Sequence, residues 1–348
     1  MNFLPYIYEP DKSLEVYEKT QLYFQQNPAI KTRIEELGWI YHTVGMIIPQ
    51  NFENFWSGHN FPFDESWDEL QISFNLVCFG FYKQAFVSLR SGLELGLLSV
   101  YYNINDDGHN AVKEWLSSKD SREANTPRAE TIWKILLSDE NIKKFNEKHN
   151  LRQTFDDLGY LHNYVHTKGA KYSNTLGNIV KSNFQSFESK AIEKWLNTYI
   201  EVISLISSLH LLKYPISVVR FDYFKKFGIN IPNFGNLEEF NIDKIAKILP
   251  ENYLQDIEKI AKEDSRTKQI INDITQLPNK TEEEVENQII DLEKSLIKGM
   301  GFSKWLETQQ HAHKLFNADF SETMINRVEF LKKWAIENDY YIKIKSEN

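Results

Sequence analysis

The stretch WDELQISFNLVCFGFYKQAFVSLRSGLELGLLSVYYN, residues 67–103, constrains the fold more than any other part of the chain. It is apolar on nearly every side of a helical wheel, and such a helix is stable only where other helices surround it. The pattern predicts one helix of about ten turns, bent near Gly80, at the centre of a bundle. Ser66, three residues before Glu69, has the spacing of a capping box that opens this helix.

Helical periodicity continues on both sides. Residues 12–26 and 29–48 read as two amphipathic helices separated near Pro28, followed by an aromatic, Asn- and Pro-containing loop at 49–66. Shorter helices are expected at 109–118, 127–137, 139–149 and 151–167, with a loop at 168–178 and a long helix at 187–213. The segment 199–219 is the most apolar long window, but Glu201, His210, Lys213 and Pro215 interrupt it, which favours a buried core helix over a membrane span. GINIPNFGNLEEFN combines Gly, Pro and Asn without periodicity and marks a linker at 228–240. It divides a helical bundle domain, 1–227, from a C-terminal helical domain, 241–348. Six further helices are expected in that domain, with a short possible strand at 340–345. The fold class that follows is all-α, an up-and-down helical bundle with additional C-terminal helices.

Composition narrows the functional classes. The net charge of −9 over 348 residues is spread along the chain, which argues against nonspecific binding of duplex DNA but leaves room for a local basic groove. The single cysteine, Cys78, lies in an apolar run and reads as a buried, inert thiol; one cysteine excludes intramolecular disulfides and fits a reducing, cytoplasmic setting. The chain has no phosphate-binding G-x-x-x-x-G-K-[ST], no G-x-G-x-x-G and no G-x-S-x-G, so no cofactor is expected. His311 and His313 diverge by about 200° on a helix and do not suggest a metal site; none is expected.

Chemistry concentrates in LGYLHNYVHTKG, residues 158–169. On a continuous helix, Asp156, Gly159, Asn163 and His166 share one side, and Phe155, Leu158, Leu161 and Val165 share the apolar side. Asn163 and His166 then project together near a helix end. An imidazole there can exchange a proton near neutral pH, with a carboxamide to orient it or a substrate. The same residues could equally cap a helix and bond to a neighbour. On the long central helix, Lys83, Arg90, Glu94 and Tyr101 fall on one narrow face. Arg90 and Glu94 can staple the bundle as an i,i+4 pair, or Arg90 can supply a fixed positive charge beside His166 for a phosphate oxyanion.

These two stretches together, GFYKQAFVSLRSGLELGLLSVYY followed by LGYLHNYVHTKG, resemble the HEPN superfamily (higher-eukaryote and prokaryote nucleotide-binding domains) over residues 66–213. The resemblance implies a helical bundle, often dimeric, of a prokaryotic defence or toxin-type system, and in many members a metal-independent endoribonuclease. The family signature is Arg, four to six residues, then His. His166 matches the histidine, and His162 or Asn163 the polar residue after the arginine. Gly159, Tyr160 and Leu161 occupy the arginine slot, so Arg90 from the neighbouring helix is the candidate replacement. The implied catalytic set is His166, Asn163 and Arg90, with Glu94, Tyr160, His162, Lys168 and Lys83 as binding residues. Three readings stay open: a non-catalytic protein that binds RNA, a nucleotide or a protein partner; a metal-independent endoribonuclease; and a structural helical scaffold. Residues 241–348 could pack on the bundle, sense a trigger or hold a protein partner.

Overall fold

The computed structural model describes residues 9–48, 60–105, 109–117, 126–174, 185–229, 235–315 and 319–342. All regular structure among them is helical. The chain divides into two compact units, Met1–Phe221 with Asn233–Ile271, and Asp222–Pro232 with Asn272–Asn348.

In the first unit, α1 (Pro10–Gln26) and α2 (Pro28–Gly45) each begin on a proline, whose fixed φ suits a first helical turn. The expected ten-turn rod is two helices, α3 (Phe61–Cys78) and α4 (Tyr82–Asn105). The chain reverses at Gly80, whose φ of +79° is open to glycine without a Cβ penalty. Serine hydroxyls record the antiparallel register of this hairpin: Ser66 Oγ donates to the Gly92 carbonyl at 2.6 Å and Ser73 Oγ to that of Ala85 at 2.8 Å. Ser66 therefore does not cap a helix. It sits fully buried inside α3, where the Tyr41 hydroxyl donates to it at 2.6 Å. An all-apolar helix and an all-apolar hairpin share one hydrophobic pattern, and only the glycine separates them.

After α4 come α5 (Asn110–Leu116), α6 (Ala129–Leu136), α7 (Glu140–His149) and α8 (Leu151–Asp157). Asp139 caps α7 by accepting from the backbone N–H groups of Asn141 and Ile142. The expected helix over 151–167 is not continuous. A 3-10 segment, Leu158–Leu161, separates α8 from α9 (His162–Val165). Leu158, Leu161 and Tyr164 are buried at intervals of three, the period of a 3-10 helix, while Val165 is 43% exposed. The overwound turn thus exchanges Val165 for Tyr164 on the inner side.

Helix α10 (Ser189–Lys213) is the axis of this unit, buried without interruption from Val202 to Leu212. It crosses α4 closely at Gly96, where a Cβ would come within 2.5 Å of Ile206. Trp195 on α10 is fully buried, and its indole donates to Ser73 Oγ at 2.8 Å. Truncating such a ring to alanine costs about 3–5 kcal/mol. Among the described residues no helix is long and apolar enough to cross a membrane. Cys78 is buried, and burial pushes its thiol up to about 12.

The expected linker lies partly outside the described residues. Beyond it, α12 (Glu239–Ile248), α13 (Tyr253–Glu263) and most of α14 (Ser265–Gln276) belong to the first unit. Ile242, Ile245 and Ile257 join its core, and Trp39 donates to Asn241 Oδ1 at 3.0 Å. Asp256 on α13 receives Lys148 at 2.6 Å, His149 at 2.8 Å and Lys259 at 3.1 Å. The second unit holds α11 (Phe224–Phe227), α15 (Glu282–Met300), α16 (Phe302–Leu315) and α17 (Glu322–Glu337) around Ile297, Phe302, Trp305 and Leu331. Thr281 and Glu284 close a capping box at the start of α15. Arg327 pairs with Glu286 at 2.9 Å and Glu293 at 3.0 Å. Of the expected strand, Tyr340 and Tyr341 accept backbone N–H groups from Phe302 and Ser303, while residues 343–345 lie outside the described residues.

Two groups in the first unit make its stability depend on acid. His210 is fully buried against the Phe63 ring, and neither ring nitrogen has a hydrogen-bond partner among the described residues. Burial lowers its pKa from 6.5 to about 3. The unfolded chain therefore takes up the proton first, and stability falls as the pH drops from about 6.5 towards 3. Asp256 is held well below the usual carboxylate range, by Lys148 first, with His149 and Lys259 adding. Its contribution is complete above that range and is lost as the pH falls through it. Unfolding in urea between pH 7.5 and 3 is expected to show both losses, with His210→Leu removing the upper one; an unchanged slope between pH 7 and 5 in that variant contradicts the assignment. Gly80→Ala is expected to cost about 1–2 kcal/mol through the left-handed backbone alone, with added strain because its Cβ would stand 3.0 Å from the Ser186 carbonyl. A midpoint equal to that of the unaltered protein would rule this out.

Candidate functional site

Three elements of the first unit enclose a cleft of about 500 Å³: α4, the start of α6, and the α8–α9 segment. Leu93 and Leu97 on α4, Ile132 on α6 and Phe155 with Leu158 on the third element give it an apolar floor. Its polar lining is Arg90, Glu94, Arg128, Glu130 and His162. The floor follows from the amphipathic pattern of each helix. The polar rim arises where α4, otherwise apolar, carries its one charged stripe.

Arg90 is half-buried and holds Glu94 twice, Nε at 3.0 Å and Nη2 at 2.8 Å from the same carboxylate oxygen. The i,i+4 spacing that suggested an ion pair gives one, and the pair lies in the cleft wall. His162 lines the cleft opposite this pair; His166 does not. The two imidazoles are in contact, with centroids 4.1 Å apart and planes tilted by 47°, because His166, at the end of α9, follows His162 by one α-turn. Partial desolvation, then the positive charges of Arg90, His166 and Lys168, pull the His162 pKa below its ordinary value, with Glu94 opposing. The shift favours the neutral imidazole, the form that can accept a proton.

The remaining candidates fall around α9. Asn163 is half-buried, and its backbone carbonyl accepts from Lys168 N–H at 3.1 Å, closing the turn in which Thr167 has a φ of +47°. Lys168 is exposed. Lys83 reaches across from α4 and donates to Thr167 Oγ1 at 3.2 Å. Tyr160 turns away from the cleft towards α10, where its hydroxyl donates to Thr198 at 2.6 Å. Tyr101, the last residue of the α4 stripe, is buried. Arg152 is engaged elsewhere, by Asp156 at 3.0 Å, by Glu130 at 3.7 Å, and over the rings of Trp133 and Phe155.

Three contributors are not singled out by the sequence. Arg128 and Glu130 form the second wall of the cleft, and only their place just after Pro127, at a helix start, could have drawn attention to them. Lys194 on α10 is the third. Its ammonium donates to the Tyr164 hydroxyl at 2.8 Å and lies over the rings of Phe86, Tyr160 and Tyr164. Burial, then the nearby Lys171, lowers its pKa. The Phe86 and Tyr164 rings stack at 4.6 Å, so α9 is anchored on α4 and α10 by aromatic contacts while its histidines face outward.

Among the described residues no three or more His, Cys, Asp or Glu side chains are grouped to hold a metal ion. His313 packs on the edge of Phe320, and His149 engages Asp256. No protein-family model, characterised protein or solved structure matches this chain, and what the site can do rests on its own geometry.

Proposed function

We propose that this is a HEPN-like helical protein of a prokaryotic defence or toxin-type system that binds single-stranded RNA on the surface around α9, without requiring catalysis. One observation carries the reading. The seventeen residues 158–174 contain no aspartate or glutamate, in a chain whose net charge is −9. They include the cations Lys168 and Lys171, with His162 and His166 beside them, and Lys83 and Arg90 approach from α4. A local cationic surface on an acidic protein serves a polyanion and repels nonspecific ones elsewhere. The exposed rings of His162 and His166 beside those cations suit unpaired bases, which stack on aromatic faces. A homodimer, a cytoplasmic setting and a protein partner for 241–348 belong to the same reading.

The adjoining imidazoles support a second reading, metal-independent RNA cleavage. An RNA 2′-hydroxyl attacks the adjacent phosphorus, neutral His162 takes its proton, and His166 in its protonated form supplies one to the 5′-oxygen that leaves. The product ends are a 2′,3′-cyclic phosphate and a free 5′-hydroxyl, and Arg90 stabilises the phosphorane charge. This arrangement gives His162 the base role and leaves His166 as the acid, where the family pattern implies His166 as general base or acid.

Fluorescence anisotropy with a labelled single-stranded RNA tests the first reading. The affinity is expected to fall steeply with salt, and Lys83→Glu with Lys168→Glu to weaken it by about tenfold or more. No binding at 50 mM salt, or equal binding by the double variant, sinks it. Incubation with RNA in EDTA tests the second: cleavage abolished by His162→Ala and by His166→Ala sustains it. Intact tRNA, mRNA and oligonucleotides remove it and leave binding.

A further inference from the structure

The cleft differs electrostatically from the surface outside it. Each of its walls carries one arginine and one glutamate, Arg90 with Glu94 on α4 and Arg128 with Glu130 at the start of α6. Their charges cancel inside the cleft, whereas residues 158–174 at its mouth are free of acids. A balanced, apolar-floored slot has no net field to draw in a phosphate. It suits a flat, neutral ring with donors and acceptors around its edge. Pockets that hold small ligands span about 300–1,000 Å³, and this one, at about 500 Å³, accommodates a base with its sugar.

We infer that the cleft receives one nucleobase and that this base is guanine. The inference rests on the RNA-binding reading, with the strand's phosphates lying on the basic surface around α9. Arg90 holds Glu94 through Nε and Nη2 on a single carboxylate oxygen, which fixes guanidinium and carboxylate side by side on one helical turn. Arg90 Nη1 and Glu94 Oε2 have no hydrogen-bond partner among the described residues. A base that engages each group with two bonds must present adjacent donors next to adjacent acceptors. Guanine does so: N1–H and the N2 amine face a carboxylate, and O6 and N7 face a guanidinium. Adenine and cytosine offer one exocyclic amine beside ring acceptors, and uracil a single N–H between two carbonyls. Each of these makes only one bond to at least one member of the pair, whereas guanine can make two to each, and that difference in bond number is what grades the bases. Phe155 on the floor supplies a ring for the base to stack on.

The same guanine edge could come from an RNA strand or from a free nucleotide, and titration calorimetry with both separates them. GMP is expected to bind about tenfold more tightly than AMP, CMP or UMP. IMP, which lacks the N2 amine, is expected to bind about tenfold more weakly than GMP. A short single-stranded RNA with one guanine should bind more tightly than GMP and lose affinity with salt, as a strand does; equal affinity for the two assigns the cleft to free guanine nucleotides. Glu94→Gln should bring the four nucleotides to within about threefold of one another while oligonucleotide binding persists. Equal binding of all four nucleotides by the unaltered protein overturns the guanine assignment, as does a preference that survives both Glu94→Gln and Glu130→Gln. RNA binding without any base preference overturns this inference alone, whereas no binding of RNA or nucleotide overturns the RNA-binding reading as well.

Discussion

Everything in the first unit depends on how α4 and α10 touch. Each is apolar around almost its whole circumference, so neither is stable until the other and their neighbours enclose it. Gly96 lets the two backbones approach with Ile206 lying where a side chain would otherwise be. Close packing of this kind makes an unsatisfied polar atom costly, and two serines on the α3–α4 interface avoid that cost, although the Ser99, Ser204 and Ser207 hydroxyls elsewhere on α4 and α10 have no hydrogen-bond partner among the described residues. Ser66 and Ser73 each donate to a carbonyl of α4 while accepting from an aromatic donor, Tyr41 and Trp195. Each hydroxyl thus satisfies three elements at once, and it does so only in one register of the hairpin. His210, on the same axis, has no such partner, and it is the imidazole that burial holds neutral far into acid.

The same packing explains where a site can exist. Because α4 is enclosed, its few charged residues must emerge at an edge, and they do so on the stripe of Lys83, Arg90 and Glu94. Against that stripe stands a segment whose inner side is pinned by aromatic rings: Tyr164 on Phe86, Tyr160 on Thr198, and Lys194 over all three rings. In the HEPN-like reading, Gly159, Tyr160 and Leu161 occupy the slot where the family carries its arginine. Of these, Tyr160 has a structural task, tying the segment to α10, while Arg90 on α4 is the candidate cation. Arg90 is better fixed there than on a four-residue helix, since α4 is long, buried and braced by Glu94.

Much of this was legible in the chain. The all-α class follows from periodicity alone, and so do α1, α2, α7, α10 and the helices beyond 241, because an amphipathic stripe reports its own period. Three features were not legible, each for a physical reason. A helix apolar on all sides carries no phase, so the reversal at Gly80 cannot be told from a bend, and Ser66 looks like a cap when it is a buried relay. The 3-10 turn at 158–161 leaves no mark on composition; it shows only in the three-residue rhythm of Leu158, Leu161 and Tyr164, which also fits an ordinary helix with one displaced position. The association of α12 and α13 with the first unit depends on long-range contacts, Asp256 with Lys148 and Asn241 with Trp39, that no local pattern encodes.

The 3-10 turn also decides which histidine meets Arg90. A continuous α-helix aligns Asn163 and His166 with Gly159 and sends His162 elsewhere. Three residues per turn instead carry the chain from Gly159 to His162 on one side, and both line the cleft. The return to α-helix at 162–165 then brings His166 against His162, one full turn away. Asn163, displaced by the same change, gives its carbonyl to the Thr167–Lys168 turn and lies half-buried. A single overwound turn thus converts a stripe of polar residues along one helix into a pair of tilted rings at the mouth of a cleft. In the folded chain it is His162, and neither His166 nor Asn163, that lines this cleft with Arg90.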